Sequence, residues 1–445
     1  MKIFHRMSRA VLASALVSAA LLAGADAWAG LTERQAEALA TKVKAGNKAA
    51  LKTLETQARR GDKRAQYNLG GLYMLTWDDG ESGGDYCLAA DWYLKAARQG
   101  VAEAQSALGT LYDNDQCFEQ NYAKAAYWHR QAAERGNHES QFYLGEYYRD
   151  GLGVPQNYAQ AARWFRKAAL ANRSAAATEL GLLYEEGQGV RQDYAQAARW
   201  YRKAAEQDNT EAQNRLGLLY AHGQGVARSD AEAVQWYRKA AALGNAGAKN
   251  NLGMMYDQGR GVPLDHAEAV KWYTEAAYQK DAVAQYNLGT AYLTGKGVAR
   301  NDDEAETWFR MAAEQDLAAA QNSLGLMYTN GQGGLLHDDA KAVTWYRKAA
   351  EQGFATAQYN LGVSYTQGRG VERNDAEAVK WYRKAAEQNL ATAQFNLGLS
   401  YHKGQGVAPD DAEATKWWQK AAQQGDEDAQ KALATVKNGV APAAK

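Results

Sequence analysis

Proline occurs only four times in 445 residues, and aliphatic β-branched residues are scarce beside Ala, Leu, Gln, Glu, Lys and Arg. That balance favours helices over strands, so the expected class is all-α. An excess of charge is missing too: 51 Lys and Arg face 51 Asp and Glu. A chain without a dominant sign has no electrostatic footprint for nucleic acid or an anionic membrane. After Gly30 no apolar run approaches the ~20 residues that cross a hydrocarbon core, so no membrane insertion is expected of the mature chain. The grammar of catalysis is absent as well. Seven histidines are scattered with no pair at metal spacing, and no HExxH, GxSxG or CxxC occurs. No catalytic residue, metal site or cofactor is expected.

The N-terminus is built differently. Lys2, Arg6 and Arg9 precede an uncharged stretch of Ala, Val, Leu and Ser from Ala10 to Ala23, followed by Ala25-Asp26-Ala27-Trp28-Ala29. This is the signal-peptide pattern, with cleavage after Ala27 or Ala29. Residues 1–29 are read as the leader; since they hold three basic side chains against Asp26, their removal leaves a net charge of −2. The expected localisation is export, to the periplasm in the first instance or to the exterior.

What is abundant is repetition. Trp92, Trp128, Trp164, Trp200, Trp236, Trp272, Trp308, Trp345, Trp381 and Trp417 follow one another at 36 residues with a single step of 37. A Leu-Gly glycine keeps the same time from Gly109 through Gly145 to Gly398. A fixed period of this size marks an array of one supersecondary unit. Within residues 246–281, Ala248, Leu252, Met255 and Tyr256 line one helical stripe, and Ala269, Trp272, Tyr273, Ala276 and Ala277 line a second. Such a hairpin buries both stripes only by stacking on its neighbours. The expected fold is an α/α superhelical solenoid of about ten 36-residue helix-turn-helix repeats. Its divisions are a helical cap over 30–61, ten repeats over 62–425, and a partial helix and loose tail over 426–445.

Inside each unit, glycine pairs such as Gly259/Gly261 read as helix ends and tight turns. Asn157, Asp193, Ser229, Asp265, Asn301, Asp338, Asn374 and Asp410 read as N-caps of the second helix, and Glu232, Glu268, Glu304, Glu377 and Glu413 are expected to complete capping boxes. The periodic Trp is expected to be enclosed, so that Trp236→Ala costs more than truncation of Trp418, which stands outside the register.

The motif AxAQxNLGxxY, GxGV, DxAEAVxWYRKAAEQG closely resembles the Sel1-like repeat family, relatives of tetratricopeptide repeats. The resemblance implies a right-handed superhelix with a concave inner face, protein–protein contact as the role, and a secreted, periplasmic or membrane-associated setting. The first helices would then line the groove. Two rows of that face vary between repeats: one carries Asn214, Asn250, Tyr286, Asn322, Tyr359 and Phe395, and the other, four residues on, carries Leu218, Met254, Thr290, Leu326, Val363 and Leu399. The first row is the expected partner-binding stripe, amides pairing with a ligand backbone and rings covering its side chains. The partner expected is a protein or peptide. The alternative is weak binding or hydrolysis of β-lactams, as in the cysteine-rich branch of the family, which carries a cysteine pair in nearly every repeat. Here Cys87 and Cys117 are the only cysteines. Both fall at one rim of adjacent hairpins, where an oxidising compartment would join them; the other reading is two free thiols.

Overall fold

The computed structural model describes residues 31–75, 85–115 and 117–437. The proposed leader, the tail from Asn438 and most of the insertion in repeat 1 lie outside these residues. The described residues form 23 α-helices and no strand. They divide into two compact units, one comprising residues up to Ala212 with Gln224–Ala227, the other Gln213–Gly223 with Arg228 onward.

In the first unit, helices Glu33–Lys44 and Lys48–Arg59 precede the periodic hairpins. Thr53, standing in the Trp register, turns its hydroxyl back to the Ala49 carbonyl on an exposed surface. In the second unit the hairpins run to helix Asp411–Gln423, and helix Glu427–Lys437 lays Leu433 and Val436 against the last cluster. Each repeat has the same plan, visible in helices Ala246–Gln258 and His266–Tyr278. The first ends at Gly259, left-handed at φ 64°. The Asp265 amide then closes the loop on the Tyr256 carbonyl, and the Asp265 side chain caps the second helix by accepting from the Glu268 amide.

The second loop glycine has a task that the turn alone does not require. Gly261 sits at φ +69°, and a Cβ there would lie 2.4 Å from the Asp230 carbonyl oxygen on the preceding repeat's second helix. Gly189 meets the Tyr158 backbone in the same way in the first unit. The glycine pair therefore ends one helix and lets the loop touch the previous hairpin.

The Leu-Gly glycine is a packing site. A Cβ on Gly253 would stand 2.7 Å from the Tyr273 ring, one on Gly181 2.5 Å from Tyr201, and one on Gly398 2.6 Å from Trp418. The residue that fills the hairpin is thus the one after the periodic Trp. Tyr201 and Trp418 are fully buried and Tyr237 is 2% exposed. The expectation about the tryptophans is corrected accordingly. Trp236 and most of its register mates are only half-buried, because they lie along the outer edge of the second helix, where the Lys three residues on covers the indole. Lys239 stands 4.1 Å over Trp236, and Lys384 4.0 Å over Trp381. Trp418, outside the register, occupies the buried ring slot of repeat 10.

The rest of the repeated motif stitches neighbours together. Arg238 donates to the Tyr256 hydroxyl of the next first helix, and Arg347 to that of Tyr365. Gln321 donates to the Ala313 carbonyl at the end of the preceding helix and accepts from Gln352, satisfying an orphan carbonyl from a buried amide. The N-caps form as expected, but the capping boxes do not close at Glu268, Glu377 and Glu413. Those carboxylates pair with Lys271, Lys380 and Lys416 one turn on, while Glu304 accepts from the Trp308 indole. A cation in reach competes better for a carboxylate than one more backbone amide.

Candidate functional site on the first helices

Asn214, Asn250 and Asn322, expected to face a ligand, are 9%, 5% and 6% exposed. Their carbonyl oxygens accept from Asn251, Asn287 and Asn360 of the following repeat, each at 2.9 Å. Of the other members of that row, Tyr286 rests on Phe309 with ring centroids 5.6 Å apart, and Tyr359 on Tyr382 at 6.0 Å. Phe395 is half-buried against the C-terminal cluster, and its carbonyl accepts from the Trp418 indole. The row is the seam along which consecutive first helices meet. An amide already paired across a seam has little left to offer a ligand, and this corrects the first-row expectation for the three asparagines.

The accessible face lies beside it. On the first helix of each of repeats 6–10, within the second unit, the positions i, i+4, i+7 and i+11, counted from Gly247, Val283, Ala319, Thr356 and Thr392, fall on one side and are partly or fully exposed. They present the second variable row: Met254, Leu326, Val363 and Leu399, interrupted by Thr290. Val283 and Leu326 are 44% and 39% exposed. Beside them run Asn251, Asn287 and Asn360, which donate into the seam, and Asn396, which donates to the Tyr359 hydroxyl and to the Thr392 carbonyl of its own helix; all four are partly exposed. Across these five helices the face carries a single charged side chain, Lys403, against 23% charged residues in the whole chain. A cavity of about 130 Å³ opens between repeats 8 and 9, lined by Leu326, Thr329, Tyr346, Asn360 and Val363 and also by the charged Asp339 and Arg369.

The equivalent positions of the first unit have another chemistry. Arg149 pairs with Glu179 and Asp150 and lies 3.8 Å from Glu146, while Arg173 pairs with Glu139 at 2.8 Å. Burial, aided by the neighbouring carboxylates, pushes the Glu146 carboxyl up to about 7 despite Arg149. This face is ion-paired and closed on itself. A cavity of about 650 Å³ at the loop rim is lined by Arg166, Tyr184, Gln192 and Asp193. Gln192 is spent on the Glu185 carbonyl and Asp193 on its cap, so the cavity gathers no nucleophile with a base. The Ser140 and His129 side chains do meet, at 3.0 Å, but at 0% and 1% exposure they are sealed from any substrate. Among the described residues no group of three or more His, Cys, Asp or Glu is placed to hold a metal ion, and no helix is long and apolar enough to cross a membrane.

Cys87 and Cys117 stand side by side with Cα atoms 5.0 Å apart, a separation that a disulfide spans. Their pairing should leave no thiol to label in the denatured, unreduced protein and should contribute about 3–4 kcal/mol by closing the intervening loop. Two labelled cysteines would refute it.

The Sel1 repeat model matches ten successive segments from residue 63 to residue 426. The chain therefore belongs to the Sel1 repeat family, a class of stacked helix hairpins related to tetratricopeptide repeats. Two solved structures are similar to it in both sequence and fold. One is c5321, described as a protective antigen present in uropathogenic Escherichia coli strains displaying an SLR fold. It is 34% identical, with 88% of this chain and 91% of that one covered and a TM-score of 0.59. The other is a Sel1 repeat protein from Oxalobacter formigenes, 33% identical, with 70% of this chain and 89% of that one covered and a TM-score of 0.51. Among curated proteins the chain has no match.

Proposed function

We propose that this chain is an exported binding scaffold that holds a protein or peptide partner on the first-helix, concave side of its repeats, and that repeats 6–10 carry the contact. The observation that carries this reading is the nearly charge-free face around Leu326 and Val363, exposed in a chain whose surface is otherwise richly charged. Monomeric proteins seldom leave a contiguous apolar stripe rimmed by amides without using it. Export is supported by the basic, apolar and small-residue order of residues 1–29. That the relative from uropathogenic Escherichia coli is described as a protective antigen agrees with a protein outside the cytoplasm. The role is binding rather than turnover, because the accessible polar groups are amides and hydroxyls rather than an acid–base pair.

Photo-crosslinkers placed singly at Leu326 and Val363 in the native host should capture one and the same partner, while a crosslinker at exposed Tyr278 on a second helix should not. Equal capture from Tyr278, or capture from Tyr278 alone, would move the site off the first helices. Mass analysis of the mature N-terminus tests export: a chain beginning at Trp28 or Gly30 is expected, and an intact Met1 in the folded protein would contradict it.

A further inference from the structure

The chemistry of that same face narrows the partner further, an inference that rests on the binding reading above. We infer that the segment bound by repeats 6–10 is an extended, uncharged stretch of polypeptide that seats one aliphatic side chain in the cavity between Leu326 and Val363. Three features point the same way. The first is electrostatic: the helix face is uncharged from Met254 to Leu399 and the two charged side chains at the cavity, Asp339 and Arg369, are of opposite sign, so a charged ligand would lose hydration without a net counter-charge to meet, and a neutral one loses little. Lys403 stands at the end of the face, beyond the helices that form its middle.

The second is shape. The cavity of about 130 Å³ has the size of one aliphatic side chain; Leu326, Ala342, Tyr346 and Val363 form its apolar walls, with Asp339 and Arg369 also in its lining. Its walls belong to consecutive repeats, so a side chain entering it bridges two hairpins.

The third is spacing. The seam bonds hold neighbouring first helices together, and helices packed ~8–10 Å apart meet an extended chain rising ~3.3 Å per residue about once every three residues. Met254, Leu326, Val363 and Leu399 would thus each touch an apolar side chain, with Thr290 leaving a gap in the series. Asn251, Asn287 and Asn360 hold one amide hydrogen bond in the seam and present the rest of the amide beside the apolar row, where the backbone of an extended chain needs donors and acceptors.

The test is selection of a displayed random-peptide library on the full chain, followed by anisotropy titration of the enriched peptides. Enriched sequences should be neutral, with Leu, Val, Ile or Met about three residues apart, and binding should change less than about twofold between about 50 and about 500 mM NaCl. Leu326→Asp should weaken binding by about tenfold or more, Leu326→Gln less, and Leu182→Asp on the ion-paired face of the first unit not at all. Unchanged melting of Leu326→Asp is expected from the exposure of that side chain and separates lost binding from lost folding.

Peptides of strong net charge, or with steep salt dependence, that still need Leu326 would overturn the inferred chemistry and leave the face as the site. Peptides indifferent to Leu326→Asp, or no enrichment, would overturn both. A dimer of the chain dissolved by Leu326→Asp, or a neutral glycan competing for the face, would replace the peptide as occupant and overturn the inference.

Discussion

Tyr237→Ala should destabilise the protein by about 3–5 kcal/mol, while Trp236→Ala, one residue earlier on the same helix, should cost about 1–2 kcal/mol. The order is the reverse of what side-chain size suggests. Tyr237 is 2% exposed, and its ring lies where a Cβ on Gly217 would come within 2.5 Å. Truncation there opens a void against a helix backbone that cannot move in to fill it, so the transfer and cavity terms add. Trp236 is half-buried, and what it loses is part of its burial and the Lys239 cation above its face, a contact of about 0.5–1 kcal/mol at an exposed site. Trp418→Ala belongs with Tyr237, since Trp418 is fully buried against Gly398 and its indole also bonds the Phe395 carbonyl. Denaturant melts of the three single variants decide the matter. Equal losses at Tyr237 and Trp236 would mean that the ring-on-glycine joint does not hold the hairpin together.

The tryptophans show what the sequence made legible and what it hid. A period of 36 is enough to place hairpins, caps and loop glycines, because each of these depends on residues adjacent along the chain. It does not say which of two neighbouring aromatics points inward. Trp is the constant letter and draws the eye, whereas the inward slot is filled by Tyr93, His129, Phe165 or Trp418 as the repeat varies. Its signature is on another helix, in the glycines of the Leu-Gly pairs that leave room for a ring. The candidate site was blurred for the same reason. Helical spacing put Asn250 and Met254 on one face, four residues apart, but only the position of the neighbouring helix shows that Asn250 is consumed by Asn287 while Met254 stays at the surface. The face was readable, but which of its rows stays open to solvent was not. The change from Glu146 and Glu179 to Leu326 and Val363 was readable as variation between repeats, but the letters alone do not show that those carboxylates meet the cation of Arg149 in the fold.

His129 gives the second large effect. In nine of the ten joints the slot against the Leu-Gly glycine holds Tyr, Phe or Trp; in repeat 2 it holds this imidazole, 1% exposed and stacked 4.9 Å from Tyr143. Its Nδ1 lies 3.0 Å from the Oγ of Ser140, which stands where the other repeats carry Ala, and its buried Nε2 has no hydrogen-bond partner. Burial holds the ring's pKa down to about 3. The unfolded chain takes up this proton near pH 6.5 and the folded one refuses it until about pH 3. The stability contributed by neutral His129 is therefore complete above about pH 6.5 and is lost as pH falls toward 3, by about 2 kcal/mol at pH 5 and about 3 kcal/mol at pH 4. Glu146 acts in the opposite sense, since its raised carboxyl binds a proton in the folded state first and adds stability as pH falls through about 7. A control that keeps Glu146 isolates the imidazole. His129→Phe with Ser140→Ala rebuilds this joint as the one that Phe309 and Ala320 form elsewhere. Urea unfolding from about pH 7.5 to about pH 4 should show the double variant gaining on the natural chain by about 3 kcal/mol. A gap between the two that stays constant with pH would mean that His129 takes its proton within the folded array.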